Sequence, residues 1–337
     1  MPPNATHWLS AYRYWWMMSQ EFRARLALSR EHIDRDAVSR TSAELLGGLR
    51  VDESTRILLI RGGKAAASEV SPGEFDLRFF GGQDVSSDAE LVYLGRDLDD
   101  SSAYLAAFVE SDGVLTGAAA GLSDDDFHDL RVIGTALSAR DSGLFTQALA
   151  LFNWHTAHAH SPKNGSQTVA EDGGWVRRSL EDDSQVFPRT DPAVIVVVTD
   201  HGDRLLLGNN AMWEANRYSL LAGYVEPGES LESAVVREVF EESGLRVVDP
   251  VYLGSQPWPF PASIMLGFRA KLAPGESPEN HTADGEEILS LRWFTRDELK
   301  ASLDEIKLPG RVSIARALIE EWLGESLDQD AGWTGRK

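Results

Sequence analysis

Three glutamates at helical spacing are the residues whose types and positions could do chemistry in this sequence. Glu238, Glu241 and Glu242 stand at i, i+3 and i+4, so a helix would place their carboxylates on one side, within about 6 Å of one another. Each like-charge pair costs a few tenths of a kcal/mol, a cost that hard divalent cations such as Mg2+ or Mn2+ remove. A solvated acidic helix face is the plainer interpretation, and the spacing alone leaves both open.

The helix that must position these carboxylates can be outlined from its end signals. A Pro-Gly pair predicts a turn, Ser230 is a suitable N-cap and Gly244 a suitable stop, so we expect a helix over residues 230–243. Arg237 could pair with Glu229 and tie the preceding loop to the helix. Apolar residues recur at every fourth position and should face the core: Leu231, Val235 and Val239.

A second segment, residues 255–263, reads Ser-Gln-Pro-Trp-Pro-Phe-Pro-Ala-Ser. Alternating prolines and aromatic residues form a stiff, extended ribbon that offers flat apolar faces and loses little entropy on binding. Ser255, Gln256 and Ser263 add neutral hydrogen-bonding groups, so a flat heterocycle would bind well there. The alternative is a rigid loop that only packs on a sheet.

The acidic segment resembles a known motif along its whole length. Residues 223–245 resemble the Nudix box, which reads Gly, five residues, Glu, seven residues, Arg-Glu, an aliphatic residue, any residue, Glu-Glu, any residue, Gly and an aliphatic residue. Every fixed position is matched. The resemblance implies an α/β (α+β) fold, a sandwich with a mixed sheet between helices, and hydrolysis of a nucleoside diphosphate linked to another moiety. It also implies metal ions on Glu238, Glu241 and Glu242, with Glu241 the best single candidate for the general base.

The proline-aromatic segment resembles the signature of NADH pyrophosphatases, and all eight fixed positions agree. Residues 187–192 and 222–226 extend the resemblance. It implies cleavage of NADH or NAD+ to nicotinamide mononucleotide and AMP, supported by Mg2+ or Mn2+, in a homodimer. ADP-ribose and the 5′ end of NAD-capped RNA stay open as other substrates. A catalytically idle binding domain is a further alternative, against which the retention of every box glutamate argues.

The same resemblance implies roles for residues outside the box. The main-chain carbonyl of Ala222 and the carboxylate of Glu287 fall at metal-ligand positions, and Glu286 competes with Glu287 for the second. The full set of expected substrate-binding residues is Phe187, Tyr224, Gln256, Pro257, Trp258, Pro259, Phe260, Pro261, Ala262, Ser263 and Ala315.

Family members commonly carry a four-cysteine zinc ribbon before the Nudix domain, and this sequence keeps only the spacing. Ser161 and Asn164 form one pair, Ser179 and Asp182 the other, with fourteen residues between the pairs. Neutral oxygens and one carboxylate make a poor site for Zn2+, which prefers sulfur and imidazole donors. We therefore expect a zinc-free ribbon held by packing and hydrogen bonds. The alternative is a zinc site rescued by nearby histidines, namely His155, His158 and His160.

Composition limits the remaining function classes. The chain has 337 residues, with 53 Asp and Glu against 32 Lys and Arg and a formal net charge of -21. This acidity repels polyphosphate at long range and argues against a nucleic-acid scaffold whose affinity rests on a basic face. An anionic substrate would need a local cation. The absence of Cys excludes disulfides, thiolate metal sites and a cysteine nucleophile.

The order of patterns along the chain predicts an N-terminal mixed α+β domain at 1–125, a helical connector and degenerate ribbon module at 126–190, the Nudix domain at 191–325 and a polar, frayed tail at 326–337. Residues 141–143 predict a break between two connector helices, and residues 161–191 an irregular module. A hairpin is expected from 193–199 and 204–207. Further strands are expected at 251–254, 264–272 and 291–294.

The N-terminal stretch, residues 1–31, contains an apolar run rich in Trp and Met. Charged residues interrupt it before a signal-peptide core or an apolar span of membrane length can form. We therefore expect a cytoplasmic protein without a membrane segment.

Overall fold

The computed structural model describes residues 22–30, 32–109 and 111–328. The chain forms two compact units, each assembled from segments that are distant in sequence. The C-terminal unit comprises Met1–Ser29, Asp191–Pro257 and Ser263–Lys337, and the N-terminal unit comprises Arg30–Thr190 and Trp258–Ala262. In the stretch 1–31, residues 1–21 and 31, which include its apolar run, lie outside the described residues. Within the described ranges, no helix is long and apolar enough to cross a membrane.

The N-terminal unit is built on a mixed sheet. Its strands are β1 (Ile33–Asp34), β2 (Arg56–Arg61), β3 (Lys64–Ser71), β4 (Glu74–Leu77), β5 (Phe79–Phe80), β6 (Leu91–Asp97), β7 (Ala103–Phe108) and β8 (Phe127–His128). The described part of the sheet has the order β1-β6-β7-β2-β3-β4, with β5 paired to β2 and β8 to β3. Strands β2, β6 and β7 are buried along most of their length, because both of their faces are covered. The helices of this unit are α1 (Leu45–Val51), α2 (Leu130–Ile133) and α3 (Ala139–Ala157).

The connector helices break at a different place from the one that the sequence suggested. Helix α2 ends at Ile133, and α3 begins at Ala139 after the N-cap Ser138, whose hydroxyl accepts a hydrogen bond from the Asp141 backbone N–H at 3.1 Å. Residues 141–143 therefore lie in the first turns of α3, and the prediction of a break there is wrong. The helix dipole favours an acidic residue in the first turn, and this outweighs the turn tendency of Asp-Ser-Gly.

The module after α3 is more regular than expected. In the described chain it forms a three-stranded antiparallel sheet, ordered β11-β10-β9. Its strands are β9 (Thr168–Glu171), β10 (Val176–Ser179) and β11 (Gln185–Val186). The prediction of an irregular module is wrong, because backbone pairing between short polar segments gives an order that hydrophobic periodicity cannot reveal.

The C-terminal unit is built on a second mixed sheet. Its strands are β12 (Asp191–Thr199), β13 (Leu205–Asn210), β14 (Leu221–Tyr224), β15 (Val247–Trp258), β16 (Ser263–Leu272) and β17 (Ile288–Phe294). In the described residues their order is β15-β16-β12-β13-β17, with β14 also paired to β12. Strands β12 and β16 are parallel, whereas β12–β13, β12–β14 and β13–β17 are antiparallel. The helices of this unit are α4 (Leu231–Ser243), α5 (Arg296–Ala301) and α6 (Ile314–Leu323).

Alternate residues of β12 enter two separate cores. Ile195 and Val197 pack in a cluster that contains residues of α6, and Val194 and Val196 pack in a cluster that contains residues of α4. Since successive side chains of a strand point to opposite faces, helices cover both faces of the sheet. The predicted fold, a sandwich with a mixed sheet between helices, is confirmed.

The strand predictions for this unit also agree with the structure. Thr199 pairs with Leu205 across the predicted hairpin, and the three later strands occur in longer form as β15, β16 and β17. The tail was expected to be frayed, but Leu327 is ordered. Its side chain is buried in the cluster that contains α6, and its N–H donates to Glu320 Oε1 at 3.0 Å. Residues 329–337 lie outside the described part.

Candidate active site

Helix α4 starts and ends almost where the sequence predicts. The Ser230 hydroxyl accepts a hydrogen bond from the first turn at 3.1 Å, and Gly244 ends the helix with φ 70°, a left-handed conformation that glycine adopts without strain. Val235 and Val239 are fully buried in the core that α4 shares with β12, and Leu231 packs against it. This burial leaves the glutamate side of the helix for other contacts.

Arg237 links the turn before α4 to two of the three glutamates. Its guanidinium donates to both carboxylate oxygens of Glu229, and to Glu238 Oε1 and Glu241 Oε2 at 2.9 Å each. A further hydrogen bond reaches the Tyr224 carbonyl at 3.0 Å. These partners, Glu229 foremost, raise the pKa of Arg237, so its charge offsets part of the repulsion among the carboxylates. The predicted pairing of Arg237 with Glu229 is confirmed.

Glu242 is the most buried carboxylate of the cluster. It is 4% exposed, and its Oε2 makes no hydrogen bond to any residue that the structure describes. Burial foremost, and then the charges of Glu287 and Glu238, raise the pKa of its carboxyl to about 9, although a backbone hydrogen bond from Ala222 acts in the opposite direction. An unpaired buried carboxylate oxygen is costly, and a hard cation is a ligand that would satisfy it. The donor set, made of oxygen atoms, therefore fits Mg2+ or Mn2+.

Glu238 lies against strand β14 at Gly223. A Cβ atom on Gly223 would collide with the Glu238 carboxyl group. Burial raises the pKa of Glu238, the hydrogen bond from Arg237 lowers it, and the charges of Glu241 and Glu287 raise it. The net direction is upward. The first glycine of the box thus makes room for a carboxylate.

Glu287 reaches the cluster from the loop before β17. Asp284 Oδ1 accepts hydrogen bonds from the backbone N–H groups of Glu286, Glu287 and Ile288 at 2.6, 2.8 and 3.0 Å, which fixes this loop. The charge of Glu287 raises the pKa of both buried helix glutamates, whereas Glu286 is not among the main causes of either shift. The sequence analysis did not identify Asp284 as the residue that fixes this loop. The available signal was the pair Asp284-Gly285, which is typical of a turn.

Comparisons with known proteins agree with this geometry. The NUDIX domain family matches residues 189–316, and the NADH pyrophosphatase-like rudimentary NUDIX domain matches residues 53–154. The NAD-capped RNA hydrolase NudC of Mycobacterium bovis (strain BCG / Pasteur 1173P2) is 36% identical over 323 residues, covering 90% of this chain and 96% of the relative. The chain belongs to the NADH pyrophosphatase family of Nudix hydrolases. The resemblance that the box and the ribbon carried is confirmed.

Other relatives of this Nudix hydrolase match a smaller part of it. The human NAD-capped RNA hydrolase NUDT12 is 35% identical over 201 residues, covering 56% of this chain and 43% of the relative. Among solved structures, a NUDIX hydrolase from Nitrosomonas europaea aligns with a TM-score of 0.39 and 20% identity, over 50% of this chain and 94% of its own.

The rudimentary NUDIX match runs past residue 125, where the sequence pattern suggested a boundary. Most of helix α3 lies inside the match, and its Gln147 side chain donates to the Leu94 carbonyl of β6 at 2.7 Å. This buried hydrogen bond attaches the helix to the N-terminal sheet.

Two aromatic residues expected at the substrate are on the surface of the Nudix hydrolase. Tyr224 is 56% exposed and Phe187 is 59% exposed, in the C-terminal and N-terminal units respectively. The Tyr224 hydroxyl lies 3.1 Å from the Ser263 hydroxyl. Exposed apolar rings of this size are available to stack on a base.

Two other expected substrate residues are enclosed by the protein itself. Gln256 is fully buried, and its amide accepts from the Leu28 N–H at 3.2 Å and donates to the Val312 carbonyl at 2.9 Å. Ala315 is 2% exposed in the α6 core. In this structure Gln256 holds backbone segments together, and its amide offers no exposed atom to a ligand.

The proline-aromatic ribbon, residues 255–263, divides between the two units. Residues Trp258–Ala262, hereafter the ribbon tip, belong to the N-terminal unit, and Pro257 and Ser263 belong to the C-terminal unit. The rings of Trp258 and Phe260 meet edge to face with centroids 4.8 Å apart. Pro259 is buried, and the two aromatic residues are half-buried.

The four positions that keep the spacing of a zinc ribbon all take part in hydrogen bonds with neighbouring groups: Ser161, Asn164, Ser179 and Asp182. The Ser179 hydroxyl lies 2.7 Å from the Ser166 hydroxyl and 3.5 Å from Asn164 Nδ2, and the Lys163 ammonium pairs with Asp182 at 2.8 Å. This ion pair and the serines lower the pKa of Asp182. Hydroxyl, amide and ammonium groups do not fit Zn2+, which requires donors at tetrahedral distances.

The nearby histidines have structural partners. His155 is 3% exposed, and its Nε2 lies 2.8 Å from the Gly174 carbonyl while its Nδ1 lies 2.7 Å from Arg177. His158 Nδ1 lies 2.9 Å from the Trp154 carbonyl. These contacts give both rings a packing role.

Proposed function

We propose that this Nudix hydrolase is a divalent-metal-dependent NAD(H) diphosphatase that splits the dinucleotide pyrophosphate into nicotinamide mononucleotide and AMP. One combination of observations supports the proposal above all. The buried, unpaired oxygen of Glu242 stands among other carboxylates, in a chain that also carries the complete ribbon signature. The first feature suits a hard cation on a pyrophosphate, and the second suits a flat heterocycle.

The residues that would hold Mg2+ or Mn2+ are the carboxylates of Glu238, Glu241, Glu242 and Glu287 and the main-chain carbonyl of Ala222. Bound divalent ions supply neutralisation of the pyrophosphate and a water of lowered pKa. The chain's own contribution is to position these carboxylates, through helix α4, the glycine at 223 and the loop that Asp284 fixes.

Glu241 is the candidate for the general base. Its side chain is 55% exposed, so its carboxylate can reach a solvent water, unlike that of the buried Glu242. Arg237 donates to Glu241 Oε2 at 2.9 Å and holds the side chain in place. Only one oxygen of Glu241 is used in this contact, which leaves the other to accept a proton.

Tyr224 and Phe187 are proposed to stack on the dinucleotide, together with the aromatic rings of the ribbon. Ser263 and the remaining ribbon residues are proposed to contact the substrate as well. Gln256 and Ala315 are buried, and are proposed to act from the core of the C-terminal unit. A homodimer and a cytoplasmic location remain predictions, the first of which light scattering on the purified protein can test.

A second candidate substrate is the 5′ end of NAD-capped RNA. The observation that favours it is the name of the mycobacterial relative, an NAD-capped RNA hydrolase that aligns over 90% of this chain. The formal charge of -21 disfavours binding to the body of an RNA, because phosphate contacts require cationic side chains. A protein that recognises the cap mainly through its NAD moiety would not need cationic side chains along the RNA.

A substrate panel tests the proposal. Purified protein is given NADH, NAD+, ADP-ribose and NAD-capped RNA, each with Mg2+ or Mn2+ and each with a chelator, and products are identified by mass spectrometry. We expect nicotinamide mononucleotide and AMP from NADH or NAD+, with no products under chelation. Turnover of ADP-ribose alone would reject the proposal, and turnover of capped RNA alone would support the second candidate.

A further inference from the structure

We propose that the N-terminal unit of this Nudix hydrolase clamps the ribbon tip in the shape that binds substrate, with Asn153 and Arg131 as positioning residues. This inference rests on the proposed function, because that function assigns the ribbon tip to substrate binding. It gives the N-terminal unit a role in the reaction. It concerns contacts made within the N-terminal unit, to which the ribbon tip belongs.

The ribbon tip cannot fix its own backbone. Its prolines have no N–H group, so the tip has few donors with which to form a regular ladder. The Phe260 N–H is used within the tip, where it donates to the Trp258 carbonyl at 2.7 Å. Pro259 is buried, so its carbonyl group requires a donor from the protein, whereas Pro261 is exposed.

Asn153 supplies these donors from helix α3. Its Nδ2 donates to the Pro259 carbonyl at 2.9 Å and to the Pro261 carbonyl at 3.1 Å. A carboxamide has two N–H donors on this nitrogen, so both are directed to the tip. Two hydrogen bonds from one side chain to carbonyls two residues apart fix the bend between them.

Arg131 holds the aromatic part of the tip. Its guanidinium lies 3.8 Å from the centroid of the Phe260 ring, and it also donates to Asp129 at 3.2 Å. Phe260 in turn meets the edge of Trp258. A planar guanidinium over an aromatic face is attractive and restricts rotation of the ring. The orientation of the Trp258 indole is thus linked to Arg131 through one intervening ring.

Both positioning residues lie inside the segment that matches the rudimentary NUDIX domain, residues 53–154. Asn153 is on α3, which lies against strands β1, β2 and β6, and Arg131 is on α2, which contacts α3. Through this clamp the N-terminal unit contributes to substrate specificity. It does not need catalytic carboxylates for that role.

The test compares Asn153→Asp with wild type. Aspartate has the same shape but no N–H donor, and its charge would face two carbonyl oxygens. We expect KM for the best-cleaved substrate of the panel to rise about tenfold, the equivalent of one to two lost hydrogen bonds, with kcat nearly unchanged because helix α4 is not altered. Asn153→Ala removes both donors without adding a charge, and should raise KM less than Asn153→Asp does. Arg131→Lys keeps the charge but loses the planar stack, and should also raise KM.

Thr156→Val is the matched control, since this exposed residue on the same helix donates to the Phe152 carbonyl of its own helix. Hydrogen exchange gives a readout independent of turnover. In Asn153→Asp, amides of the peptide 254–264 should exchange faster, and amides of α4 should not. A wild-type KM, or a loss of kcat without a change in KM, would overturn the clamp. Failure of the wild-type enzyme to cleave any dinucleotide would instead reject the proposed function, and unchanged exchange at 254–264 would still reject the clamp by itself.

Discussion

Glu241 and Glu242 are adjacent in sequence and occupy opposite environments. The Glu241 side chain is 55% exposed and bonded to Arg237, whereas Glu242 is 4% exposed and leaves one oxygen without a partner among the described residues. Neighbouring positions on a helix point about 100° apart, so one faces solvent and the other faces the sheet. Two chemically identical groups can therefore serve different tasks, one as a base in contact with water and one as a buried cation ligand.

The first prediction concerns the reaction. Glu241→Gln and Glu242→Gln each replace an anionic oxygen with a neutral amide of nearly the same shape. We expect kcat to fall by roughly 100-fold or more at saturating metal, the usual contribution of a general base or of a transition-state electrostatic contact. Glu232→Gln lies on the same helix outside the box and should be close to normal. Wild-type turnover in both box variants would reject the carboxylate cluster as the catalytic centre.

The second prediction concerns pH and stability without metal. The pKa of Glu242 is raised from 4.5 to about 9, so between these values the folded protein holds a proton that the unfolded chain releases. The contribution of this group to the free energy of unfolding is therefore fully present below pH 4.5 and is lost as pH rises toward 9, by on the order of 1 kcal/mol per pH unit. Denaturant unfolding in chelator should show this decline in wild type and a flatter profile in Glu242→Gln. Parallel profiles would contradict the prediction.

The third prediction concerns the glycine under Glu238. Gly223→Ala would place a Cβ against the Glu238 carboxyl, which is the end of a flexible side chain and can move away. We expect a small loss in melting temperature and a loss of activity of about tenfold or more, because a displaced ligand disturbs cation geometry. Gly121→Ala, where a Cβ meets nothing within 4 Å, is the control. An active Gly223→Ala enzyme would show that Glu238 need not sit against β14.

The fourth prediction concerns zinc. Elemental analysis after mild chelation should find no tightly bound zinc, and the chelator should not lower the melting temperature, because the Lys163–Asp182 ion pair and the serine hydroxyls close the ribbon module. Mg2+ or Mn2+ should still restore activity. One zinc per chain that resists chelation would contradict the assignment.

The fifth prediction concerns the aromatic surface of the ribbon. Trp258→Ala should weaken use of NADH by about 1 to 3 kcal/mol, the usual value of one stacked ring, seen as a change in kcat/KM. Trp258→Phe keeps a flat face and should retain most of the activity. If neither KM nor kcat changes in Trp258→Ala, the stacking surface lies elsewhere in the protein.

The sequence alone was sufficient for features that depend on near neighbours in the chain. The limits of α4 followed from Ser230 and Gly244, because capping is a local hydrogen-bonding problem, and the hairpin at β12 and β13 followed from short-range patterning. The lack of thiolates at the ribbon module followed from residue types. The full match to the box and to the ribbon signature gave the family.

The tertiary structure decided everything that depends on contacts between distant segments. It set the charge of Glu287 among the causes that raise the pKa of Glu242, enclosed Gln256 between Leu28 and Val312, and joined the ribbon tip to Asn153. It also moved the helix break from 141–143 to the residues before Ser138. Sequence spacing specifies which side chains share a helix face or a strand face. It does not specify which loop or strand packs against that face, because that choice depends on burial and hydrogen bonding summed over the whole fold.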